Sequence, residues 1–279
     1  MPVPFIKMHG LGNDFVIIDS RENGFVPSQE FLLRVADRCR GVGCDQFMIL
    51  LKPKDPSADL YMDMYNRDGS IVRACGNATR CVARLLFEET GKKEGVIQTI
   101  TECLKVWQED NGNVTVEFGA PKLDWQDIPL AKETDTLHVT FDGQDALVGC
   151  CVNVGNPHTI FFVPDVMSVP LDQIGPILEH DPIFPDRCNI EFAQLIDPEH
   201  IRMRVWERGT GITQACGSAA LATLVAAVRR ELSARKAVIQ MDGGDLVIEW
   251  RETDGHITLS GSASKAFEGV LNDELIGES

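Results

Sequence analysis

ACGNATR (residues 74–80) has a counterpart near the other end of the chain, ACGSAAL (residues 215–221). In both segments a cysteine precedes a glycine and then a small polar residue. A stretch of about 12 to 15 residues with helical spacing of apolar side chains follows each of them. The repetition predicts two copies of one structural unit, each with a cysteine at the start of a helix.

Further matches surround these two segments at an offset of about 141 to 145 residues. GNDF at 12–15 matches GNPH at 155–158, and YN at 65–66 matches WE at 206–207. The β-branched and aromatic residues beside them are typical of strands. The helical stretches are followed by VIQ at 96–98 and 238–240, by turns at 110–112 and 254–255, and by the strand sequences NVTVEFG and HITLSGS. The chain is therefore interpreted as an internal duplication.

Two such units predict an α/β (α+β) fold with two pseudo-symmetric lobes. Residues 1–119 are expected to form the N-terminal lobe, and residues 264–279 are expected to return to it. Residues 120–263 are expected to form the C-terminal lobe, with the active site in a cleft between the two lobes. Recurrent hairpin signals favour a mostly antiparallel, curved sheet in each lobe. AALATLVAAVRREL (219–232) is apolar nearly all round, which predicts a helix buried inside such a sheet.

Composition excludes several classes of partner. The formal net charge is −16 and the sequence pI is about 4.7, which argues against binding nucleic acid or an anionic membrane. No apolar run approaches the roughly 20 residues that span a bilayer, and the first ten residues lack a signal-peptide core. We therefore expect a cytoplasmic protein.

The nine cysteines are expected to be mostly reduced thiols, because the chain is too long to be a small disulfide scaffold. No CxxC pair occurs, so no metal site is predicted. Cys39, Cys103, Cys150 and Cys151 lie in apolar stretches and are predicted to be small buried residues without chemistry.

Cys75 and Cys216 are the exceptions, because each precedes the start of a predicted helix. The unpaired N–H groups and the partial positive charge at a helix N-terminus stabilise a thiolate and can hold a carboxylate. Gly76 and Gly217 would let an anion approach the backbone. Two thiols on opposite faces of one carbon could remove a proton and return one with inversion, which predicts a two-base racemase or epimerase without a cofactor.

A structural interpretation stays open at this point. Ala-Cys-Gly-Ser is a common packing sequence at helix starts, and duplication copies structural residues as faithfully as functional ones. His158 could be a core histidine, and Glu207 with Arg208 could be a surface ion pair.

Six blocks, in the same order, resemble the diaminopimelate epimerase family along nearly the whole chain. They are KMHGLGNDF (7–15), RGVGCDQ (40–46), YNRDGSIVRACGNATRC (65–81), NVGNPH (153–158), NIEF (189–192) and VWERGTGITQACGSAA (205–220). The resemblance implies the two-lobed fold of that family. It also implies cofactor-independent interconversion of LL- and meso-2,6-diaminopimelate, a step in lysine and peptidoglycan-precursor biosynthesis, and a homodimer.

The resemblance further implies roles for individual residues. Cys75 and Cys216 match the two acid/base thiols, and His158 and Glu207 match positions that support their ionisation. The other positions implied to contact the substrate, with Glu207 among them, are the backbone at Gly76, Asn77, Gly217 and Ser218 and the side chains of Asn13, Gln46, Asn66, Asn156, Asn189 and Arg208.

Two alternatives accompany this interpretation. A proline or hydroxyproline racemase would share the paired cysteines, but its cyclic substrate has one carboxylate and would not need the amides and Arg208 that a second amino-acid head requires. A non-catalytic amino-acid-binding protein on the same scaffold would need neither thiol. The chain also departs from the common family pattern at Cys44, Ala78, Ile212 and Ala219.

Overall fold

The computed structural model describes residues 3–73, 75–141 and 147–277. The strands are β1 (Val3–Gly10), β2 (Asn13–Asp19), β3 (Gln46–Leu51), β4 (Leu60–Asn66), β5 (Glu94–Gln98), β6 (Cys103–Gln108), β7 (Val114–Phe118), β8 (Val139–Thr140), β9 (Val148–Asn153), β10 (Pro157–Phe162), β11 (Asn189–Asp197), β12 (His200–Glu207), β13 (Gly211–Thr213), β14 (Lys236–Met241), β15 (Gly244–Trp250), β16 (Ile257–Gly261) and β17 (Ser264–Leu271). The α-helices are α1 (Gln29–Ala36), α2 (Gly76–Thr90), α3 (Leu171–Glu179), α4 (Gly217–Arg229) and α5 (Asp273–Ile276).

The chain divides into two compact units. The first comprises residues 3–116 and 261–277, and the second comprises residues 117–260, with 142–146 outside the described part. Of the described helices, none is both long enough and apolar enough to cross a membrane.

The sheet of the first unit is mixed and mainly antiparallel. β17, β1 and β2 run antiparallel, β2 and β3 run parallel, and β3 and β4 run antiparallel. β4 and β5 are again parallel, and β5, β6 and β7 are antiparallel. The C-terminal strand thus belongs to the sheet that contains the first strand of the chain.

The second unit repeats this order of pairings. β9 and β10 are antiparallel, β10 and β11 parallel, and β11 and β12 antiparallel. β12 and β14 are parallel, and β14, β15 and β16 are antiparallel. The sequence duplication is therefore a duplication of topology, with a parallel pair at the same two places in each unit.

Each unit contains one helix that its sheet surrounds. Helix α4 contacts six strands of the second unit, β9, β10, β11, β12, β14 and β15, and nearly all of its residues are buried. This explains why its sequence is apolar on every side. Helix α2 contacts β1, β5 and β6, and it ends at Gly91, whose φ of 71° is left-handed and suits glycine.

The opposite face of each sheet is also covered. Phe31, Leu32 and Val35 of α1 pack against β2 and β3 in one apolar cluster. In the second unit, Leu171 and Leu178 of α3 belong to a cluster with residues of β10 and β11. Because both faces are covered, the central strands are buried on both sides and lack a strict alternation of apolar and polar residues.

The prediction for the isolated cysteines is half wrong. Cys150 and Cys151 are buried, but Cys39 and Cys103 are exposed. Cys103 opens β6, where alternate residues face outward and Leu104 faces the core. Cys39 lies in a turn after α1, where its N–H donates to the Asp37 carboxylate.

Candidate active site

Strand direction brings the predicted residues of the first unit to one edge of its sheet. Asn13 opens β2 and Gln46 opens β3, and these strands are parallel, so their first residues share an edge. β4 is antiparallel to β3, so its last residue, Asn66, reaches the same edge and pairs with Gln46. Cys75 then follows and leads into helix α2.

Cys75 is the N-cap residue of α2, with an extended backbone at φ −153° and ψ 104°. The first turn of α2 contains no acidic residue, and its N–H groups have no acceptor within the helix. Cys75 Sγ lies 3.8 Å from Asn13 Oδ1, and Asn77 Nδ2 lies 3.4 Å from the same oxygen. The structure therefore groups a half-buried thiol, a helix N-terminus and two amides.

Two more amides extend this group. Gln46 Nε2 donates to Asn66 Oδ1 at 3.2 Å, and Asn66 Nδ2 donates to Ser70 Oγ at 3.0 Å. Asn13 is held from behind, because its Nδ2 donates to Asp45 Oδ2 at 3.0 Å. Asn13, Gln46 and Asn66 thus lie at one edge of the sheet, and Cys75 and Asn77 at the start of α2 contact that edge at Asn13.

The second unit builds the same edge from equivalent strands. His158 lies at the start of β10 and pairs with Asn189, the first residue of the parallel strand β11. Glu207 ends β12, which is antiparallel to β11. Cys216 follows as the N-cap of α4, with an extended backbone at φ −132° and ψ 117°.

Cys216 is more buried than Cys75, with 8% of its surface exposed. Its Sγ lies 3.4 Å from Ser218 Oγ, and the backbone N–H of Ala219 faces the sulfur. Burial raises the pKa of the Cys216 thiol well above its ordinary value, and the charge of Glu207 raises it further. The Glu207 carboxylate accepts a hydrogen bond from Thr213 Oγ1.

His158 is fully buried and hydrogen-bonded at both ring nitrogens. Its Nδ1 lies 2.6 Å from Glu191 Oε1, and its Nε2 lies 2.9 Å from Asn156 Oδ1. Burial raises the pKa of the Glu191 carboxyl, while the charge of His158 opposes that shift. The pair thus holds the ring in one orientation and fixes Asn156 beside it.

Asn189 and Arg208, two further predicted residues of the second unit, are joined by a hydrogen bond. Asn189 is buried, its Nδ2 donates to Pro157 O, and its Oδ1 accepts the N–H of Arg208. The Arg208 side chain is exposed and donates to Asp186 O at 3.0 Å. Among the described residues, Arg208 forms no ion pair with Glu207. The alternative that these two residues form a surface ion pair is therefore wrong.

Sequence reasoning missed three residues that support these groups, namely Glu191, Asp45 and Arg80. Glu191 lies in the apolar strand NIEF, and Arg80 lies among the buried residues of α2. A charged residue in a segment that is otherwise buried was the available signal, because such charges are rare without a partner or a task. Asp45 gave no such signal.

Comparison with known proteins agrees with this arrangement. A family model described as "Diaminopimelate epimerase" matches residues 5–123 and 150–266, one segment for each copy of the repeat. A "Diaminopimelate epimerase" from Rhodospirillum centenum is 51% identical over 272 residues, covering 98% of this chain and 93% of that protein. One from Acidiphilium cryptum is 48% identical, covering 98% of each chain.

Solved structures share the fold at much lower identity. A phenazine biosynthesis protein of the PhzF family from Bacillus anthracis has a TM-score of 0.69 at 15% identity, covering 98% of this chain and 99% of its own. A hydroxyproline epimerase from Agrobacterium vitis has a TM-score of 0.63 at 13% identity, covering 97% and 91%. The α/β fold is thus the one that these proteins share. The sequence relatives decide the family, and the chain belongs to the diaminopimelate epimerase family.

Proposed function

We propose that this chain interconverts LL- and meso-2,6-diaminopimelate by passing a proton between substrate and two cysteines, without a cofactor. The observation that carries the proposal is the duplicated half-site: each unit places a thiol at the N-terminus of its central helix. The names of the sequence relatives support the substrate, and the shared chemistry of the half-sites supports the reaction.

The reaction needs one thiolate and one thiol. The thiolate removes the α-proton, and the electron pair of the broken C–H bond moves into the neighbouring carboxylate, which becomes enolate-like. The opposite thiol then gives its proton to the other face of the carbon, and the electron pair returns to form the new C–H bond. Charge and atoms balance, and the two sulfurs have exchanged protonation states.

The developing negative charge needs stabilisation at the carboxylate. Backbone N–H groups at Gly76, Asn77, Gly217 and Ser218 belong to two helix N-termini without acidic residues in the first turn. N–H groups and dipoles that are fixed before the reaction stabilise such charge without reorganising. The proposal requires both half-sites to act on the same α-carbon from opposite faces.

The amide groups provide the rest of the binding site in this proposal. A second amino-acid head carries both an ammonium and a carboxylate, and it needs acceptors as well as donors. The exposed Arg208 guanidinium suits the distal carboxylate by bidentate pairing. The remaining groups assigned to binding are Asn13, Gln46, Asn66, Asn156 and Asn189.

His158 and Glu207 tune the two thiols in this proposal. Glu207 shares the second unit with Cys216 and favours its protonated form. His158 is held by Glu191 and Asn156, so its ring cannot rotate without breaking two hydrogen bonds. The homodimer and the cytoplasmic location implied by the sequence stay predictions.

The test follows stereochemistry in deuterium oxide. Wild-type protein is expected to convert LL-diaminopimelate to the meso form with deuterium at the inverted centre, whereas Cys75→Ser and Cys216→Ser are expected to lose at least about 100-fold in kcat. Wild-type protein that exchanges the α-proton of proline but not of diaminopimelate would contradict the proposal in favour of a proline racemase. Binding of diaminopimelate without any exchange would favour a non-catalytic protein.

A further inference from the structure

Arg80, in the second turn of α2, is a fully buried guanidinium without an acidic partner among the described residues. Its Nη2 donates to Asn77 Oδ1 at 3.0 Å and its Nε donates to Ser262 O at 3.3 Å, both neutral acceptors. Its Nη1 is buried and has no hydrogen-bond partner in the described part of the chain. Burial lowers the pKa of Arg80 to about 10, so it remains charged at neutral pH.

An uncompensated charge of this kind is costly to bury, which points to a task. The backbone makes room for it at Gly10, the last residue of β1. A Cβ at Gly10 would lie 3.1 Å from Arg80 Nη2 and 3.3 Å from Asn77 Cβ. The glycine therefore lets β1 pass directly against the guanidinium.

Arg80 is connected to Cys75 by two amides. Because Asn77 Oδ1 accepts from Arg80, the Nδ2 of Asn77 is turned toward Asn13 Oδ1. Asn13 in turn presents that oxygen to Cys75 Sγ. The positive charge also lies within electrostatic range of the Cys75 sulfur.

The second unit lacks this charge. The position equivalent to Arg80 is Leu221, which is buried. The ionisable groups that act on Cys216 are instead the carboxylates of Glu207 and, more weakly, Glu191, and both oppose ionisation of the thiol. The two half-sites thus share geometry but differ in the sign of the nearest charge.

We propose that Arg80 makes the two thiols unequal, so that Cys75 carries the negative charge and Cys216 carries the proton in the substrate-free protein. Arg80 acts as a positioning residue, through its charge and through the Asn77–Asn13 amides. The inference rests on the proposed function for the roles of the thiols, and it adds which of them starts as the base. In this state the protein receives the isomer whose α-proton faces Cys75.

Other charged groups of the first unit do not replace Arg80. Asp14 and Asp45 lie behind Asn13, but Asp14 pairs with Lys7 at 2.6 Å and both acids pair with Arg38 at 2.7 Å. This cluster leaves little net charge to act on Cys75. Cys81 is a titratable group that interacts with Cys75, and burial raises the pKa of the Cys81 thiol to about 12, so it stays neutral.

The hydrogen bond to Asn13 opposes ionisation only weakly. A thiolate cannot donate to Asn13 Oδ1, so ionisation gives up that contact. At 3.8 Å a sulfur hydrogen bond is weak, whereas a buried full charge interacts strongly through a medium of low dielectric constant. The charge of Arg80 therefore outweighs the lost hydrogen bond.

The test measures the titration of each thiol separately, without substrate. Protein is labelled to a low extent with isotope-coded iodoacetamide across a pH series, and peptides containing Cys75 and Cys216 are quantified by mass spectrometry. The pH midpoint of labelling reports thiolate formation independently of accessibility, because accessibility changes the rate at every pH alike. In wild type, the Cys75 midpoint is expected to lie at least about one pH unit below that of Cys216.

Arg80→Met is expected to raise the Cys75 midpoint by about one unit or more and to leave that of Cys216 unchanged. Arg80→Lys keeps a charge and is expected to restore most of the shift. Arg84→Met is the matched control, because Arg84 lies on the same helix and donates to Ala263 O but is paired with Glu88. It is expected to change neither midpoint.

Two results would overturn the inference: a wild-type Cys216 that titrates before Cys75, or a folded Arg80→Met with an unchanged Cys75 midpoint. If Arg80→Met does not fold, the order of the two wild-type midpoints still tests the inference. Gly10→Ala is the second variant: its added Cβ would lie 3.1 Å from Arg80 Nη2, which must shift slightly, so a smaller rise of the Cys75 midpoint is expected, with the Cys216 midpoint unchanged. The labelling experiment uses no substrate, so it tests the inference independently of the proposed function. Failure to epimerise diaminopimelate would contradict the proposed function but would not change the measured thiol midpoints.

Discussion

At the scale of single residues, both half-sites contain buried polar groups that hydrogen-bond to predicted site residues. Glu191 and Arg80 are the clearest cases, since each is fully buried and each contacts an amide or ring that reaches the predicted site. The family motifs imply which side chains contact the substrate. The sequence did not identify these supports, because the partner of Glu191 lies 33 residues away and the burial of Arg80 depends on β1 and Ser262, which are distant in sequence.

Glu191 provides a stability prediction. Glu191→Ala leaves the buried His158 Nδ1 without its partner, so we expect a loss of about 3 to 5 kcal/mol in the free energy of unfolding. Glu191→Gln keeps an oxygen acceptor and is expected to lose clearly less. Urea unfolding at neutral pH measures both, and equal losses for the two variants would show that the 2.6 Å contact is not what stabilises the ring.

At the scale of elements, the first turns of α2 and α4 are free of acidic side chains, as an anion site in the proposed function requires. Neither first turn contains an acidic residue, although acids are favourable there. Helix α1, by contrast, has Glu30 in its first turn and the Ser28 side chain as N-cap. The two central helices therefore forgo a stabilising residue at the positions where a substrate carboxylate would bind.

Ser218→Asp tests this point at α4, where Ser218 lies half-buried beside Cys216. The added carboxylate would interact with the helix N-terminus, so we expect unchanged or slightly higher stability, by about 0.5 kcal/mol. It would also occupy the anion site, so kcat/KM should fall by about 100-fold or more. Ser218→Ala is the control and should retain most activity, and an active Ser218→Asp would contradict this role of the helix N-terminus.

At the scale of the whole molecule, buried thiols link stability to pH. Burial raises the pKa of the six buried thiols above their ordinary value: Cys44, Cys81, Cys150, Cys151, Cys188 and Cys216. A group with a raised folded-state pKa stabilises the fold below its unfolded pKa and loses that contribution as pH rises toward the folded value. The loss therefore begins near pH 8.5 to 9 and continues into the alkaline range.

Each such thiol contributes about 1.4 kcal/mol per pH unit in this range. We expect the free energy of unfolding to fall by on the order of 5 kcal/mol between about pH 9 and pH 10, as measured by urea titration. Cys150→Ala should reduce this fall in the free energy of unfolding by about the contribution of one thiol. Cys39→Ser should not change it, because Cys39 is exposed. A stability that stays constant over this interval would contradict the thiol account.

The sequence by itself determined the repeated unit. Helix starts, glycine turns and apolar periodicity are local signals. The segments after Cys75 and Cys216 therefore predict α2 and α4. The turns at 110–112 and 254–255 likewise precede β7 and β16. The same signals predicted a strand directly beside Asn13, which opens β2. Local chemistry decides these features because each needs only neighbours along the chain.

Only the tertiary structure decided which strands pair, and in which direction. The hairpin signals did not predict the parallel pairs β2–β3 and β10–β11. Those pairs bring the starts of β2 and β3 to one sheet edge, with Phe15 beside Gln46, and place His158 beside Asn189. The sequence also could not show that Arg80 is buried without an acid while Glu207 lies beside Cys216. Burial and charge depend on residues that are far apart in sequence and close in space, so two copies of one motif acquire different electrostatic surroundings once the chain has folded.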